Sequence, residues 1–191
     1  PVCGSLERHR FHWLFLTRQT NLFDGSRRRM LHVAPEESLS AVFRGIDNLD
    51  YLSVDLNDPA AMVRMDITNI NYPDEHFSVI YCSHVLEHIP DDRKAIAELS
   101  RVLHRDGWAL IQVPITAERT YEDFSIVDPK ERKKHFGQED HVRRCGPDYV
   151  ERIRSGGFEV QVLDATDVAT DAECATMALE VGAPIFYCRK R

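Results

Sequence analysis

The 191 residues carry 24 basic and 31 acidic side chains, a formal net charge of −7, and are 43% hydrophobic. That length and apolar content fit one domain, 1–191, around a single core, and the acidic balance opposes phosphate over the whole surface, so nucleic acid is not an expected partner. No apolar run approaches the roughly 18 residues of a membrane span and no secretory leader is legible, so no membrane partner is expected and the expected location is cytoplasmic.

In chain order, Pro1-Val2-Cys3-Gly4 is similar to the second half of a C-P-x-C-G zinc knuckle whose first cysteine would stand just before Pro1. Structural zinc normally takes two cysteine pairs, and no second C-x-x-C follows, which argues against zinc in this chain. The five cysteines, Cys3, Cys82, Cys145, Cys174 and Cys188, are odd in number, scattered and set in or beside apolar runs, as buried thiols are; no disulfide framework is expected. The N-terminal segment 1–29 holds a helix over Leu6–Thr17, followed by an apolar strand at Met30–Ala34 and a helical turn at Ser38–Arg44. Strands are predicted at Tyr51–Leu56, at Val63–Ile67 and at Ser78–His84, the last written as the continuous apolar run of a strand buried on both faces.

The clearest helix follows: Ala95, Ile96, Leu99, Val102 and Leu103 recur at helical spacing, Asp91 and Asp92 stand at its positive end, and Gly107 comes after it. Trp108–Ile115 reads as the fifth strand. Pro147 with Tyr149, Val150 and Ile153 reads as a helix opened by proline and stopped by Gly156-Gly157. Phe158–Leu163 and Ile185–Cys188 close the sheet. The segment 116–145 between them is charged, rich in histidine, weakly periodic and longer than an ordinary connection, and we read it as a lid-like insertion. Strands alternating with helices predict an α/β fold: a doubly wound, Rossmann-like, mostly parallel sheet with helices on both faces.

Ligands of such sheets bind beyond the carboxyl ends of the strands, where the strand order reverses. After the first strand stand Ala34-Pro35-Glu36-Glu37, where a dinucleotide-binding chain would carry G-x-G-x-x-G. Two carboxylates would repel a pyrophosphate but accept from an ammonium group, which disfavours a nicotinamide oxidoreductase and suits a cationic amino-acid ligand. The plainer alternative is an acidic first helical turn in solvent. Asp55 lies at about the 20-residue offset from which a carboxylate reaches a ribose diol, with Leu56 beside it; it could instead cap the turn Leu56-Asn57-Asp58-Pro59. Asp66 can accept from an adenine amino group while the Ile67 amide donates to the ring, or serve as a turn residue.

These residues carry a family resemblance. Tyr51-Leu52-Ser53-Val54-Asp55, Asp66-Ile67, the run Phe77–Asp91 containing V-L-E-H-I-P, Leu99-Ser100-Arg101-Val102-Leu103 and Asp106-Gly107-Trp108 together resemble the small-molecule branch of the class I S-adenosylmethionine-dependent methyltransferases. The family's glycine-rich first motif stands here as Leu31-His32-Val33-Ala34-Pro35-Glu36. The resemblance implies seven strands with the last antiparallel, S-adenosylmethionine as cofactor and S-adenosylhomocysteine as product. It implies a cofactor site drawn from Ala34, Glu36, Asp55, Leu56, Asp66, Ile67 and Ser83, with Ser83 and His84 facing the transferred methyl group.

Methyl transfer is an in-line displacement at a sulfonium, so the chain must chiefly align the acceptor and exclude water. The expected acceptor is a small molecule or a carbohydrate-like one, and where it is a hydroxyl or a protonated amine, His141, His135, Asp140 or Tyr121 of the insertion is available as a base if the segment folds over the pocket. His88 reads as a structural histidine, and the histidines of 135–141 lack a firm third partner, so no metal is assigned. A rival expectation follows from the altered first motif: a non-catalytic binding module that kept the sheet and lost its cofactor chemistry. Oligomeric state is not legible.

Overall fold

The computed structural model describes residues 5–191; the Pro1–Gly4 knuckle motif lies outside them. Seven strands form one sheet: β1 (Arg28–Val33), β2 (Leu49–Asp55), β3 (Val63–Arg64), β4 (Phe77–Ser83), β5 (Leu103–Gln112), β8 (Phe158–Leu163) and β9 (Ile185–Lys190). Their order is β3-β2-β1-β4-β5-β9-β8, with β9 antiparallel to both β5 and β8 and the other neighbours parallel. The chain winds outward from β1 through β2 to β3, then returns to place β4 on the other side of β1. The order therefore reverses between β1 and β4, and the crevice beyond their carboxyl ends is where such a sheet binds ligands.

Period-2 alternation sends the side chains of each strand to two opposite cores. Leu31, Val33, Ile80, Cys82, Ala109 and Ile111 pack against α3 (Asp92–Val102) and α5 (Tyr149–Ser155). Met30, Tyr51, Val79, Tyr81, Trp108 and Leu110 face α1 (Glu7–Gln19), α2 (Glu37–Arg44) and the residues around α6 (Asp171–Met177). Burial on both faces is why β4 reads as one unbroken apolar run. The four cysteines among the described residues are free and buried. Among those residues no helix is long and apolar enough to cross a membrane.

Several boundaries depart from the sequence reading. β3 is two residues long rather than five, because the chain turns at once: the Met65 amide donates to Asp55 O at 2.9 Å and Ile67 folds into the core. α3 runs directly into β5 at Leu103, so Gly107 does not stop a helix but lies within a strand. A Cβ at Gly107 would stand 2.7 Å from Ser78 O, beside the irregular register between Phe77 and Val79, and only glycine lets the two backbones approach that closely. Pro147 precedes the N-cap Asp148 of α5 rather than occupying its first turn.

The insertion contains β6 (Tyr121–Glu122) paired antiparallel with β7 (Arg143–Arg144), and between them α4 (Pro129–Phe136). α4 is polar nearly all round, so it shows no periodicity, yet its ends are spelled out: Asp128 accepts from the Lys130 and Glu131 amides, Pro129 opens the helix, and Gly137 ends it at φ +96°. α6 likewise has a capping box, Thr170 with Glu173.

Candidate active site

Four strand ends converge at the switch point. The first is marked by Ala34, whose φ of +49° lies in the left-handed region where the family carries glycine. A left-handed alanine costs roughly 1–2 kcal/mol, partly offset by the backbone entropy that glycine would forfeit. Ala34→Gly should therefore stabilise the fold by about 0.5–1 kcal/mol, read as a higher urea midpoint; a fall in midpoint would show that the methyl packing outweighs the strain.

Next to it, Glu36 is the N-cap residue of α2 but makes no cap with its side chain. Instead α1 reaches over it: Arg8 donates to Oε1, and His9 Nε2 stands 2.8 Å from the same oxygen. His9 is itself oriented through Nδ1, which accepts from the Leu6 amide at 3.1 Å and contacts Ser38 Oγ at 3.0 Å. Burial alone would raise the Glu36 pKa, but hydrogen bonds from His9 and Arg8 outweigh it and hold the carboxyl at about 2. Its second oxygen, Oε2, is buried without a hydrogen-bond partner. Glu37 points to solvent as an exposed first-turn residue.

Asp55 ends β2 with Oδ1 accepting from the amides of Asn57 at 2.7 Å and Asp58 at 2.8 Å. The turn-capping alternative is thus realised by one oxygen. Beside it, Leu56 is 48% exposed and Met62 53%, two apolar side chains left open at the sheet's carboxyl edge. Asp66 is exposed, with Oδ1 accepting from the Thr68 amide at 2.8 Å.

At the fourth strand end, Ser83 is buried and its hydroxyl donates to Gln112 Oε1 at 3.4 Å. His84 follows at φ +56°, its amide donating to Gln112 O. A non-glycine residue held there at a strand end is the kind of strain that positions functional side chains. His84 Nδ1 stands 3.3 Å from Glu87 Oε1.

The insertion supplies one wall. A cleft of about 430 Å³ is lined by Arg8, His84, Pro114, Thr116, Arg144 and His141, together with Lys134, Phe136, Gly137 and Gln138 of the insertion. His141 is buried, donates from Nδ1 to Phe136 O at 3.3 Å, and meets His88 edge to face at 4.6 Å between ring centres. Burial, then the neighbouring His88, lowers its pKa. Of the other insertion candidates, His135 and Tyr121 pack with Phe136, and Asp140 pairs with His88 Nδ1 at 3.2 Å.

Arg143 locks this wall to the sheet. It is fully buried and donates to the carbonyls of Leu86, Ile89 and Pro90 and to Glu122 Oε2 at 3.0 Å, while Arg152 bridges Asp92 and Glu122, both at 2.9 Å. Tyr149 Oη donates to Asp92 at 2.6 Å. Asp92, read from sequence as a helix-end charge, is therefore a buried member of this network. Arg143 was not singled out in the sequence because nothing local distinguishes it from Arg144.

An open sheet reversing between β1 and β4, with an antiparallel β9, is a doubly wound, Rossmann-like α/β fold, and this one carries acidic side chains at successive strand ends. Residues 34–111 match the family model described as "Methyltransferase domain". An uncharacterized methyltransferase, YcgJ of Bacillus subtilis strain 168, is 27% identical over 150 residues, 64% of this chain, and the chain spans 59% of that relative's length. Among solved structures, a putative methyltransferase from Bacillus halodurans C-125 superposes with a TM-score of 0.61 at 14% identity, covering 94% of this chain and 98% of that one. A Burkholderia thailandensis 1,6-didemethyltoxoflavin N1-methyltransferase with S-adenosylhomocysteine bound gives 0.61 at 14% identity over 96% and 77%. At those identities the superpositions establish the fold.

Proposed function

We propose that this chain binds S-adenosylmethionine across the ends of β1, β2 and β3 and transfers its methyl group to a small-molecule or carbohydrate-like acceptor in the 430 Å³ cleft. The observation that carries the reading is the donor-poor, acceptor-rich chemistry of the strand ends. Glu36 keeps a buried oxygen without a partner, and Asp55 has one carboxylate oxygen committed to its turn and a second for a ligand hydroxyl. A buried acceptor lacking its donor fits a ligand that brings one, such as an ammonium group. Bound there, the cofactor supplies the activated methyl group.

The residues then divide by position. Glu36 would accept from the amino-acid end beside Ala34, Asp55 from the ribose, and Asp66 with the Ile67 amide would meet the adenine edge, with Leu56 packing on its face. Ser83 and His84 stand at the boundary between cofactor and acceptor, and His84, opening into the cleft, is positioned to take a proton from an acceptor hydroxyl. His141 lines the same cleft.

The test is calorimetric titration of the purified chain with S-adenosylmethionine and S-adenosylhomocysteine. We expect micromolar binding that weakens in Asp55→Ala by about 1–3 kcal/mol, the worth of a hydrogen bond to a charged group. Unchanged affinity in Asp55→Ala would remove the ribose assignment. No binding to the intact chain would favour the binding module that has kept the fold without the cofactor.

A further inference from the structure

Glu87 is a carboxylate in an unusual position. It is 1% exposed, and neither Oε1 nor Oε2 has a hydrogen-bond partner; His84 Nδ1, at 3.3 Å, is near enough to attract but not aligned to bond. A buried anion is costly unless something positive meets it, and the buried cation of this wall, Arg143, is spent on the Leu86, Ile89 and Pro90 carbonyls and on Glu122. Around Glu87 stand His88 and His141, and one candidate ligand atom from each of the three lies within 4.8 Å of the others.

Both histidines are tied down in a way that favours ligation. His88 Nδ1 is 3.2 Å from Asp140 Oδ2, and His141 Nδ1 donates to Phe136 O at 3.3 Å. A ring held by a carboxylate or carbonyl on Nδ1 keeps its other nitrogen's lone pair for a metal, and this pairing is the usual outer-shell arrangement of metal-bound histidine. The Glu87 carbonyl also accepts from the Val142 amide at 3.0 Å, so the backbone itself fixes residue 87 against the residue after His141.

We propose that Glu87, His88 and His141 form a binding site for a divalent transition-metal ion of the zinc type. Two imidazoles and one carboxylate suit such an ion. At metal–ligand distances of about 2.0–2.2 Å a tetrahedral ion holds its ligands about 3.4 Å apart, so a pair separated by as much as 4.8 Å closes by about 1.4 Å, within reach of side-chain rotations. Three protein ligands leave a coordination position open, and because His141 and His84 both line the cleft, that position serves the acceptor. The ion would orient and polarise an acceptor hydroxyl. That role rests on the proposed function; binding of the ion does not.

The test therefore uses neither cofactor nor acceptor. The full chain, stripped with a chelator, is titrated with Co²⁺ as a spectroscopic probe and then with Zn²⁺ in competition. We expect one Co²⁺ per chain with visible absorption lacking thiolate charge-transfer bands, displacement by Zn²⁺, and affinity weakened at least about 100-fold in His88→Gln and Glu87→Gln, whose circular dichroism should match the parent. Binding that survives both substitutions, or no stoichiometric binding to the parent, would overturn the site. So would thiolate bands that vanish in Cys3→Ser, since the ion would then sit on cysteine. Failure here with intact S-adenosylmethionine binding removes the metal alone; the reverse pattern removes the methyltransferase reading and leaves the metal.

Discussion

Arg143→Met should unfold about 3–5 kcal/mol more readily than the parent chain, the scale of breaking a buried ion pair by removing one partner. The guanidinium is fully buried, and its loss leaves three carbonyls of the 86–90 turn without a donor. It also takes one positive charge from a cluster in which Arg143 and Arg152 balance Asp92 and Glu122. Arg152 and the Tyr149 hydroxyl remain on Asp92, which keeps the cost within that range. Lysine is no remedy, because a single ammonium cannot span the carbonyls and Glu122 from one position. Urea unfolding followed by circular dichroism measures the loss, and limited proteolysis should show residues 116–145 cut faster. A change under about 1 kcal/mol would mean that the insertion is held to the sheet mainly by packing, since exposed ion pairs contribute no more than that.

The second large effect is acid lability. His12 and His32 lie under the sheet on the α1 side, His12 accepting from the Tyr81 hydroxyl and His32 donating to the Tyr51 hydroxyl at 2.9 Å, which in turn donates to Ser40 at 3.2 Å. Burial, against a weaker opposing pull from Glu36, lowers each from an ordinary 6.5 to about 3. In the unfolded chain both titrate near 6.5, so below that pH the unfolded state gains protons that the native state refuses, and stability falls until the pH passes the folded value. At pH 5 the loss is about 2 kcal/mol per histidine, about 4 kcal/mol together, relative to pH 7. His76 and His141 are shifted in the same direction and add to the slope. Glu36, lowered from 4.5 to about 2, contributes stability above 4.5 that is lost only as the pH drops below it, so the window from 6.5 to 5 isolates the histidines. Urea midpoints at pH 7 and pH 5 test this, and His32→Phe should remove about half of the pH dependence. An unchanged slope in that variant would assign the acid response elsewhere.

The fold was legible because its signals are local. Strand β4 announces burial on both faces through its unbroken apolar run, α3 announces itself through apolar spacing and an acidic start, and strands alternating with helices leave a parallel sheet as the economical arrangement. α4 and α6 escaped a reading that weighted periodicity, although their caps were written in Asp128-Pro129 and in Thr170 with Glu173. The altered first motif was visible too, as a missing glycine loop with two carboxylates in its place.

The sequence by itself determined the order of elements, the place of the crevice at the strand ends, and the acidic side chains that stand there. Tertiary structure alone decided which partners those side chains meet. Glu36 is clasped by Arg8 and His9 from a helix 28 positions upstream in the pairing, and His141 finds its neighbours in Glu87 and His88 rather than among the histidines beside it in the insertion. Arg143 and Arg144 are adjacent in sequence yet one is buried in a four-charge network and the other lines the cleft. The physical reason is common to all three. Hydrophobic periodicity and capping act over a few residues, whereas the pairing of buried charges is settled by which elements the packed sheet brings together, at separations for which the sequence carries no spacing rule.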